Sequence, residues 1–147
     1  MEPTIRVGVV GAGHLGRHHA RLYAAFPDTI LAGVADTDSE TAGRAGTEAV
    51  DDVHALIERG VDAVSVATPT TTHHAVARVL LDAGVHVLVE KPIAPTLEEA
   101  EDLVAAAAQN NCKLQVGHIE RFNGAVMALF DALQQPRFIE CHRLSPF

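Results

Sequence analysis

The stretch that decides the fold is Val7-Gly8-Val9-Val10-Gly11-Ala12-Gly13-His14-Leu15-Gly16, together with Asp36 at the end of a second apolar run. This order predicts a strand, a tight glycine turn, a helix, a second strand and a carboxylate. Gly11 permits the turn, Gly13 lets backbone approach a phosphate closely, and Gly16 lets the helix pack on the strand. The helix N-terminus then offers free N–H groups to an anion.

The turn and the acid together predict a dinucleotide site. Asp36 follows the turn by about 20 residues, the separation at which a carboxylate accepts the hydroxyls of an adenosine ribose. We expect the cofactor to contact five turn residues, Gly11, Gly13, His14, Leu15 and Gly16. The Asp36 carboxylate would repel a 2′-phosphate, so NAD is expected in preference to NADP. Arg44 is the nearby residue that could neutralise such a phosphate.

The composition is that of one globular domain. The 147 residues are 48% hydrophobic and 20% charged, with few aromatic residues and no Trp, which indicates a core of small aliphatic side chains between parallel strands and helices. The net charge of −8 argues against nucleic acid as a partner. No apolar stretch reaches the length of a membrane span. The first five residues, Met1–Ile5, have neither the basic residues nor the long hydrophobic run of a leader sequence. We therefore expect a cytoplasmic protein that does not bind membranes.

The nine histidines raise the question of a metal site. His14 and His18 have helical i, i+4 spacing, but no carboxylate or cysteine completes a ligand set beside them. We therefore expect no metal.

Strand and helix patterns alternate along most of the chain. Strands are expected near 4–10, 30–35, 61–67, 85–89 and 113–116, with helices between them. Such alternation predicts an α/β fold with a doubly wound parallel sheet, the Rossmann fold, over residues 1–118. Beyond it, a helix over 124–134 and an alternating strand over 137–143 predict the first elements of an incomplete second α/β domain, at residues 119–147.

Two further motifs follow buried strands. Thr68-Pro69 and Glu90-Lys91-Pro92 both lie at the carboxyl ends of predicted parallel strands, where open α/β sheets bind ligands. Lys91 could donate to a substrate oxygen and to the cofactor side, with Glu90 holding its ammonium in place. Alternatively, Lys91 is a solvated lysine in a turn made rigid by Pro92. The spacing leaves both interpretations open.

Several separated motifs carry a family resemblance. They are the glycine turn with His19-Ala20, Ala67-Thr68-Pro69 with His73, Glu90-Lys91-Pro92, and Val116-Gly117-His118 with Arg121-Phe122-Asn123. In this order they resemble the Gfo/Idh/MocA family, which contains glucose–fructose oxidoreductase and inositol dehydrogenase. The resemblance implies NAD(P)-dependent hydride transfer at a sugar or cyclitol carbinol.

The resemblance also implies roles for individual residues. Lys91 takes the catalytic position beside nicotinamide and substrate, and the Lys91-Pro92 bond is often cis in such proteins. Thr68, Pro69 and His73 are expected to line the nicotinamide side, and Glu90 is counted among the cofactor-binding residues. The stretch 116–123 looks most like family members that act on nucleotide-linked amino sugars such as UDP-N-acetylglucosamine, with His118 and Arg121 on the substrate side.

Family members carry an Asp…His acid/base pair in a second domain, which is expected beyond Phe147. The 147 residues alone are therefore expected to bind nucleotide without turnover, and the full-length form is expected to be a homo-oligomer. Two other functions share some of these features. A non-catalytic NAD(P)-binding sensor of the same family has no need of a lysine at the nicotinamide, and an S-adenosylmethionine methyltransferase has no place for Glu90-Lys91-Pro92.

Overall fold

The computed structural model describes residues 4–38, 40, 42, 48–133, 135–140 and 142. The strands over these residues are β1 Ile5–Val10, β2 Thr29–Ala35, β3 Ala49–Val50, β4 Ala63–Val66, β5 His86–Val89 and β6 Leu114–Val116. The helices are α1 Gly16–Ala25, α2 Val53–Glu58, α3 Thr70–Asp82, α4 Leu97–Gln109 and α5 Gly124–Ala132, with a 3-10 helix at Ile119–Phe122.

The six strands form one parallel sheet in the order β3-β2-β1-β4-β5-β6. The chain leaves β1 in one direction to build β2 and β3, and returns to the other side of β1 to build β4, β5 and β6. A ligand crevice forms where the strand order reverses, at the carboxyl ends of β1 and β4. The prediction of a doubly wound Rossmann sheet is confirmed.

The two faces of the sheet are packed differently. One face buries a large cluster in which helix leucines meet strand valines, among them Leu56, Leu80, Leu81 and Leu103, all 0% exposed. The opposite face, which α1 covers, is built from small residues such as Val9, Ala20 and Val34. Small side chains let the backbone of α1 lie close to the sheet, which brings its N-terminus to the crevice.

Helix starts follow their local sequence. The Asp52 side chain accepts hydrogen bonds from the N–H groups of His54 and Ala55, which begins α2. The Thr96 hydroxyl oxygen accepts from the Glu99 N–H at 3.2 Å, which begins α4 as its Thr-x-x-Glu pattern predicts. These caps satisfy N–H groups that would otherwise have no partner.

The chain divides into two compact units, Met1–Gly117 and His118–Phe147. In the second unit, Asn123 caps α5 by accepting a hydrogen bond from the Ala125 N–H at 3.0 Å. The strand predicted over 137–143 is wrong for its described residues, 137–140 and 142, which form no strand. Alternation alone makes no strand, because a strand requires a partner for its N–H and C=O groups, and none pairs with these residues in the described part of the chain.

Candidate active site

The glycine turn after β1 contains two glycines that the protein itself requires. Gly11 has φ +91°, and a Cβ there would lie 2.6 Å from the carbonyl oxygen of Ala67. A Cβ on Gly16 would overlap the carbonyl oxygen of Gly11. The Gly11 N–H donates to the Ala35 carbonyl oxygen at 2.8 Å, which joins the turn to the end of β2. These contacts leave no room for any other residue at either position.

Gly13 differs from them, because a Cβ there would meet no atom within 4 Å. The protein's own packing therefore does not require this glycine, and the space in front of it stays open to a ligand. Next to it, α1 begins with no side-chain cap from Leu15 and no acidic residue in its first turn. Open space and uncapped N–H groups at the positive end of a helix suit a pyrophosphate.

His14 lies on the exposed side of the turn. Its Nδ1 is 3.0 Å from an Nη of Arg17, and its ring meets that of His18 edge-on, with centroids 5.1 Å apart. Desolvation, followed by the positive charge of His14 and Arg17, lowers the pKa of His18. The start of α1 is therefore a basic segment in an acidic chain.

Asp36 lies against the same turn. Its Oδ2 accepts the Ala12 N–H at 2.6 Å, and its Oδ1 accepts the Asp38 N–H at 2.9 Å. Beside it is an open cavity of about 190 Å³ with largely apolar walls and with carboxylates among its lining residues. The lining residues are Val10, Ala35, Asp36, Thr37, Asp51, Asp52, Val53 and Val76. An adenosine fits this chemistry, with its base on apolar walls and its ribose at the acid. We call Gly11–Gly16 and Asp36 the adenosine half of the site.

A second group of residues follows β4 and β5, which are neighbours in the sheet. We call Thr68, Pro69, His73, Glu90 and Lys91 the lysine half. The loops that carry these residues begin at the carboxyl edge of the sheet, as the glycine turn does, because all six strands are parallel. Lys91 is exposed at this edge, and the Lys91-Pro92 bond is cis, as the resemblance implies.

His73 lies beneath these loops and is 1% exposed. Its Nε2 is 2.9 Å from the carbonyl oxygen of Thr68, and its Nδ1 is 2.9 Å from the carbonyl oxygen of Pro92. The imidazole therefore joins the loop after β4 to the loop after β5. A contact between His73 and the cofactor stays a prediction.

Glu90 has a different partner from the one we expected. Among the ion pairs of the described residues, its carboxylate is paired with His19, with Oε1 3.1 Å from Nε2, and not with the Lys91 ammonium. Its Oε2 accepts the backbone N–H of Lys91 at 3.3 Å. A Cβ at Gly117 would lie 3.0 Å from this carboxylate, so the glycine leaves room for it.

Three residues of this site have structural roles that the sequence did not predict: His19, Ser65 and Tyr23. Ser65 Oγ is 3.1 Å from Nδ1 of His19 and 2.6 Å from the Tyr23 hydroxyl. Ser65 is 1% exposed, and it is the polar residue of the apolar strand β4. A polar residue in a buried strand needs a partner, and that signal could have pointed to this cluster.

The helices that follow the two loops are tied together. Asp102 of α4 accepts from His74 Nε2 at 2.7 Å and from Arg78 Nη1 at 2.7 Å, both on α3. The hydrogen bond from His74, followed by that from Arg78, lowers the pKa of Asp102. This bridge connects the two helices that follow the loops of the lysine half.

Other predicted positions fall elsewhere. His118 and Arg121 belong to the second unit, where both are exposed and the Arg121 N–H donates to the His118 carbonyl oxygen at 3.0 Å. Their place on the substrate side stays a prediction, and Arg44 lies outside the described residues. Over the described residues, no group of three or more metal-ligating side chains could hold an ion. No helix in that part of the chain is long and apolar enough to cross a membrane.

Comparison with known proteins agrees with this geometry. The model of the GFO_IDH_MocA family, described as an oxidoreductase family with an NAD-binding Rossmann fold, matches residues 5–118. The chain belongs to this family. It is 46% identical to UDP-N-acetylglucosamine 3-dehydrogenase from Acidithiobacillus ferrooxidans, over 97% of this chain and 46% of that protein. The solved structure of that enzyme gives a TM-score of 0.82 over 90% of this chain and 44% of that chain.

Two further relatives extend the range of similarity within the family. Inositol 2-dehydrogenase 1 from Saccharopolyspora erythraea is 36% identical over 95% of this chain and 46% of that protein. The structure of the WlbA dehydrogenase from Bordetella pertussis, in complex with NADH and UDP-GlcNAcA, is 28% identical with a TM-score of 0.82, over 90% of this chain and 40% of that chain. The chain spans less than half the length of these relatives.

Proposed function

We propose that this chain is the cofactor-binding part of an NAD-dependent dehydrogenase that acts on a sugar, cyclitol or nucleotide-sugar carbinol. The observation that carries the proposal is the meeting of two halves at one sheet edge. The glycine turn lies at the carboxyl end of β1, Asp36 follows β2, and an exposed lysine follows β5 at the same edge. Residues 1–118 are the cofactor domain in this proposal, and residues 119–147 begin a second domain.

The adenosine half binds and orients the nucleotide. The open space at Gly13 and the uncapped start of α1 accept the pyrophosphate, and Asp36 accepts the ribose hydroxyls. Because Asp36 is an anion, a 2′-phosphate at this ribose would meet a like charge. We therefore propose NAD as the cofactor in preference to NADP.

The lysine half acts on the substrate oxygen. Bound NAD would supply a nicotinamide ring that accepts a hydride from the carbinol carbon, while the acid/base pair proposed for the second domain would take the hydroxyl proton. Lys91 presents a cationic donor at the crevice, where it stabilises negative charge on the reacting oxygen. Glu90 and His73 hold the loops of this half through backbone groups. Glu90 accepts a hydrogen bond from the Lys91 N–H, and His73 is hydrogen-bonded to the Pro92 carbonyl oxygen.

We propose a nucleotide-linked amino sugar as the substrate class. The support is similarity, since a UDP-N-acetylglucosamine 3-dehydrogenase is 46% identical and a second relative was solved with UDP-GlcNAcA. Inositol dehydrogenases are also similar, at 36% identity for one of them. For the full-length protein we propose a cytoplasmic homo-oligomer with no nucleic-acid or membrane partner; the net charge of −8 supports the absence of a nucleic-acid partner.

Two measurements test the proposal. Fluorescence titration of the 147-residue chain with NADH should give saturable binding. Hydride transfer by the full-length protein, measured with UDP-N-acetylglucosamine, free sugars and inositol, should favour the nucleotide sugar. Binding without turnover on any of these compounds would favour a sensor of the same family, and absence of NADH binding would contradict both functions.

A further inference from the structure

A row of four hydrogen-bonded side chains runs beneath the lysine half. Tyr23 and His19 come from α1, Ser65 from β4 and Glu90 from the end of β5. The Tyr23 hydroxyl is 2.6 Å from Ser65 Oγ, which is 3.1 Å from His19 Nδ1. His19 Nε2 is 3.1 Å from Glu90 Oε1. We call Tyr23, Ser65, His19 and Glu90 the polar row.

One direction of donation satisfies every member of the polar row when Glu90 is ionised and the His19 ring is neutral. An ionised Glu90 can only accept, so the facing Nε2 of His19 must carry the hydrogen. In a neutral imidazole Nδ1 is then an acceptor, which requires the Ser65 hydroxyl to donate to it. The oxygen of Ser65 in turn accepts from the Tyr23 hydroxyl. Every donor therefore points along the row toward the carboxylate, and no member lacks a partner.

The carboxylate at the end of the polar row needs this support because it is buried. Glu90 is 7% exposed, and a buried carboxylate is costly unless it is paired and hydrogen-bonded. His19 supplies one donor, and the Lys91 N–H supplies another at 3.3 Å. The absence of a side chain at Gly117 leaves the space that the carboxylate fills. Residues from α1, β5 and the end of β6 thus define where Glu90 can lie.

We infer that His19 is a positioning residue for Lys91 and acts through Glu90. It holds the carboxylate in place and directed at the Lys91 N–H, which holds the backbone from which the lysine side chain extends into the crevice. This inference rests on the proposed function, in which Lys91 acts on the reacting oxygen. It gives a chemical task to a histidine whose imidazole is hydrogen-bonded to Ser65 and Glu90.

The first test uses the 147-residue chain and three variants. His19→Leu removes both ring nitrogens, whereas His19→Gln keeps an N–H that can face Glu90. His18→Leu is the matched control, because it removes the neighbouring, exposed imidazole from the same helix. Amide hydrogen exchange at Lys91 should accelerate about tenfold in His19→Leu, the size expected for loss of a charge-assisted hydrogen bond. Exchange should be near wild type in His19→Gln and in His18→Leu.

A second measurement reports the direction of the polar row. Nitrogen-15 NMR of the His19 ring at neutral pH should show a protonated Nε2 and a bare Nδ1. Ser65→Ala, a small change that removes the donor to Nδ1, should abolish this single tautomer even if His19→Leu does not fold. Protonation on Nδ1 with a bare Nε2, or equal exchange rates in His19→Leu and His18→Leu, would overturn the inference.

The third measurement uses the full-length protein. His19→Leu should lower turnover about a hundredfold, as expected for a misplaced reacting group, with the NADH dissociation constant close to that of wild type. His19→Gln should restore most of the turnover. A parallel loss of NADH binding and turnover would overturn the inference, since a merely structural role predicts that result. If the wild-type protein turns over no substrate, the proposed function fails, whereas the exchange and NMR results still decide the role of His19.

Discussion

The adenosine half and the lysine half of this site are built in opposite ways. In the adenosine half, local backbone geometry defines the site. Gly11 and Gly16 are required by contacts with backbone atoms, and Asp36 accepts hydrogen bonds from nearby backbone N–H groups and from the hydroxyl of its neighbour Thr37. In the lysine half, side chains from separate elements hold each loop, with His19 from α1 on Glu90 and His73 from α3 on the Pro92 carbonyl oxygen. A ligand turn can be encoded in a few adjacent residues, whereas a catalytic loop depends on partners far along the chain.

The largest expected effect separates the two halves by function. Lys91→Ala in the full-length protein should lower turnover by about 10²–10⁴, the usual worth of a positioned acid or base. NADH affinity should change little, because the nucleotide is held by the other half. The chain has one other lysine, Lys113, which precedes β6 at the opposite edge of the sheet. Lys113→Ala is therefore the control, and near-wild-type turnover in Lys91→Ala would make Lys91 a solvated turn lysine.

A pair of glycine variants sharpens the comparison within the adenosine half. Gly16→Ala places a methyl group against the Gly11 carbonyl oxygen, and it should lower the free energy of unfolding by about 1–3 kcal/mol. Gly13→Ala meets no protein atom, so its urea midpoint should stay at wild type while NADH binding weakens. Equal destabilisation in both variants would show that Gly13 serves the fold and not the ligand.

Substitution of Asp36 tests how the adenosine half selects between NADH and NADPH. Asp36→Ala should reduce NADH affinity about tenfold, since a charged acceptor for the ribose hydroxyls is lost. Binding of NADPH should weaken less or improve, because the repulsion of a 2′-phosphate is removed as well. Titration of both nucleotides with the wild-type chain and the variant measures the change in preference. Tighter NADPH than NADH binding by the wild-type chain would contradict the assignment.

The smallest effect concerns the bridge between the helices of the lysine half. The hydrogen bonds from His74 and Arg78 lower the pKa of Asp102 below its ordinary value of 3.8. A lowered pKa in the folded state adds stability above that ordinary value, and this contribution disappears as the pH falls through the folded-state pKa. Asp102→Asn should therefore be slightly less stable at neutral pH, and the difference should vanish well below pH 3.8.

Asp82→Asn is the matched control for this bridge. Asp82 pairs with Arg78 within α3 alone, so its loss leaves the link to α4 intact. Urea unfolding of the three proteins as a function of pH makes the comparison. A pH dependence in Asp102→Asn equal to that of wild type would show that the bridge does not stabilise the fold.

Prediction from the sequence succeeded where the signal is local. The strand–turn–helix order around Gly11 and the Thr96 cap both depend on residues within a few positions of each other, and both are present in the structure. The strand expected over 137–143 failed at its described residues because alternation says nothing about a pairing partner. The hydrogen bond between Glu90 and His19 was not predicted for a related reason, since the two residues lie 71 positions apart along the chain.

The sequence by itself determined the Rossmann fold and the position of the nucleotide turn, because glycines at fixed spacing and alternating strand and helix patterns restrict the backbone directly. It also located Lys91 at the carboxyl end of a strand. Only the tertiary structure decided which side chains surround that lysine. His19, Ser65 and Glu90 meet because parallel strands and crossover helices bring α1, β4 and β5 side by side. Hydrogen bonds between such distant positions depend on the distance and direction between two atoms in space, and the order of residues along the chain does not specify either one.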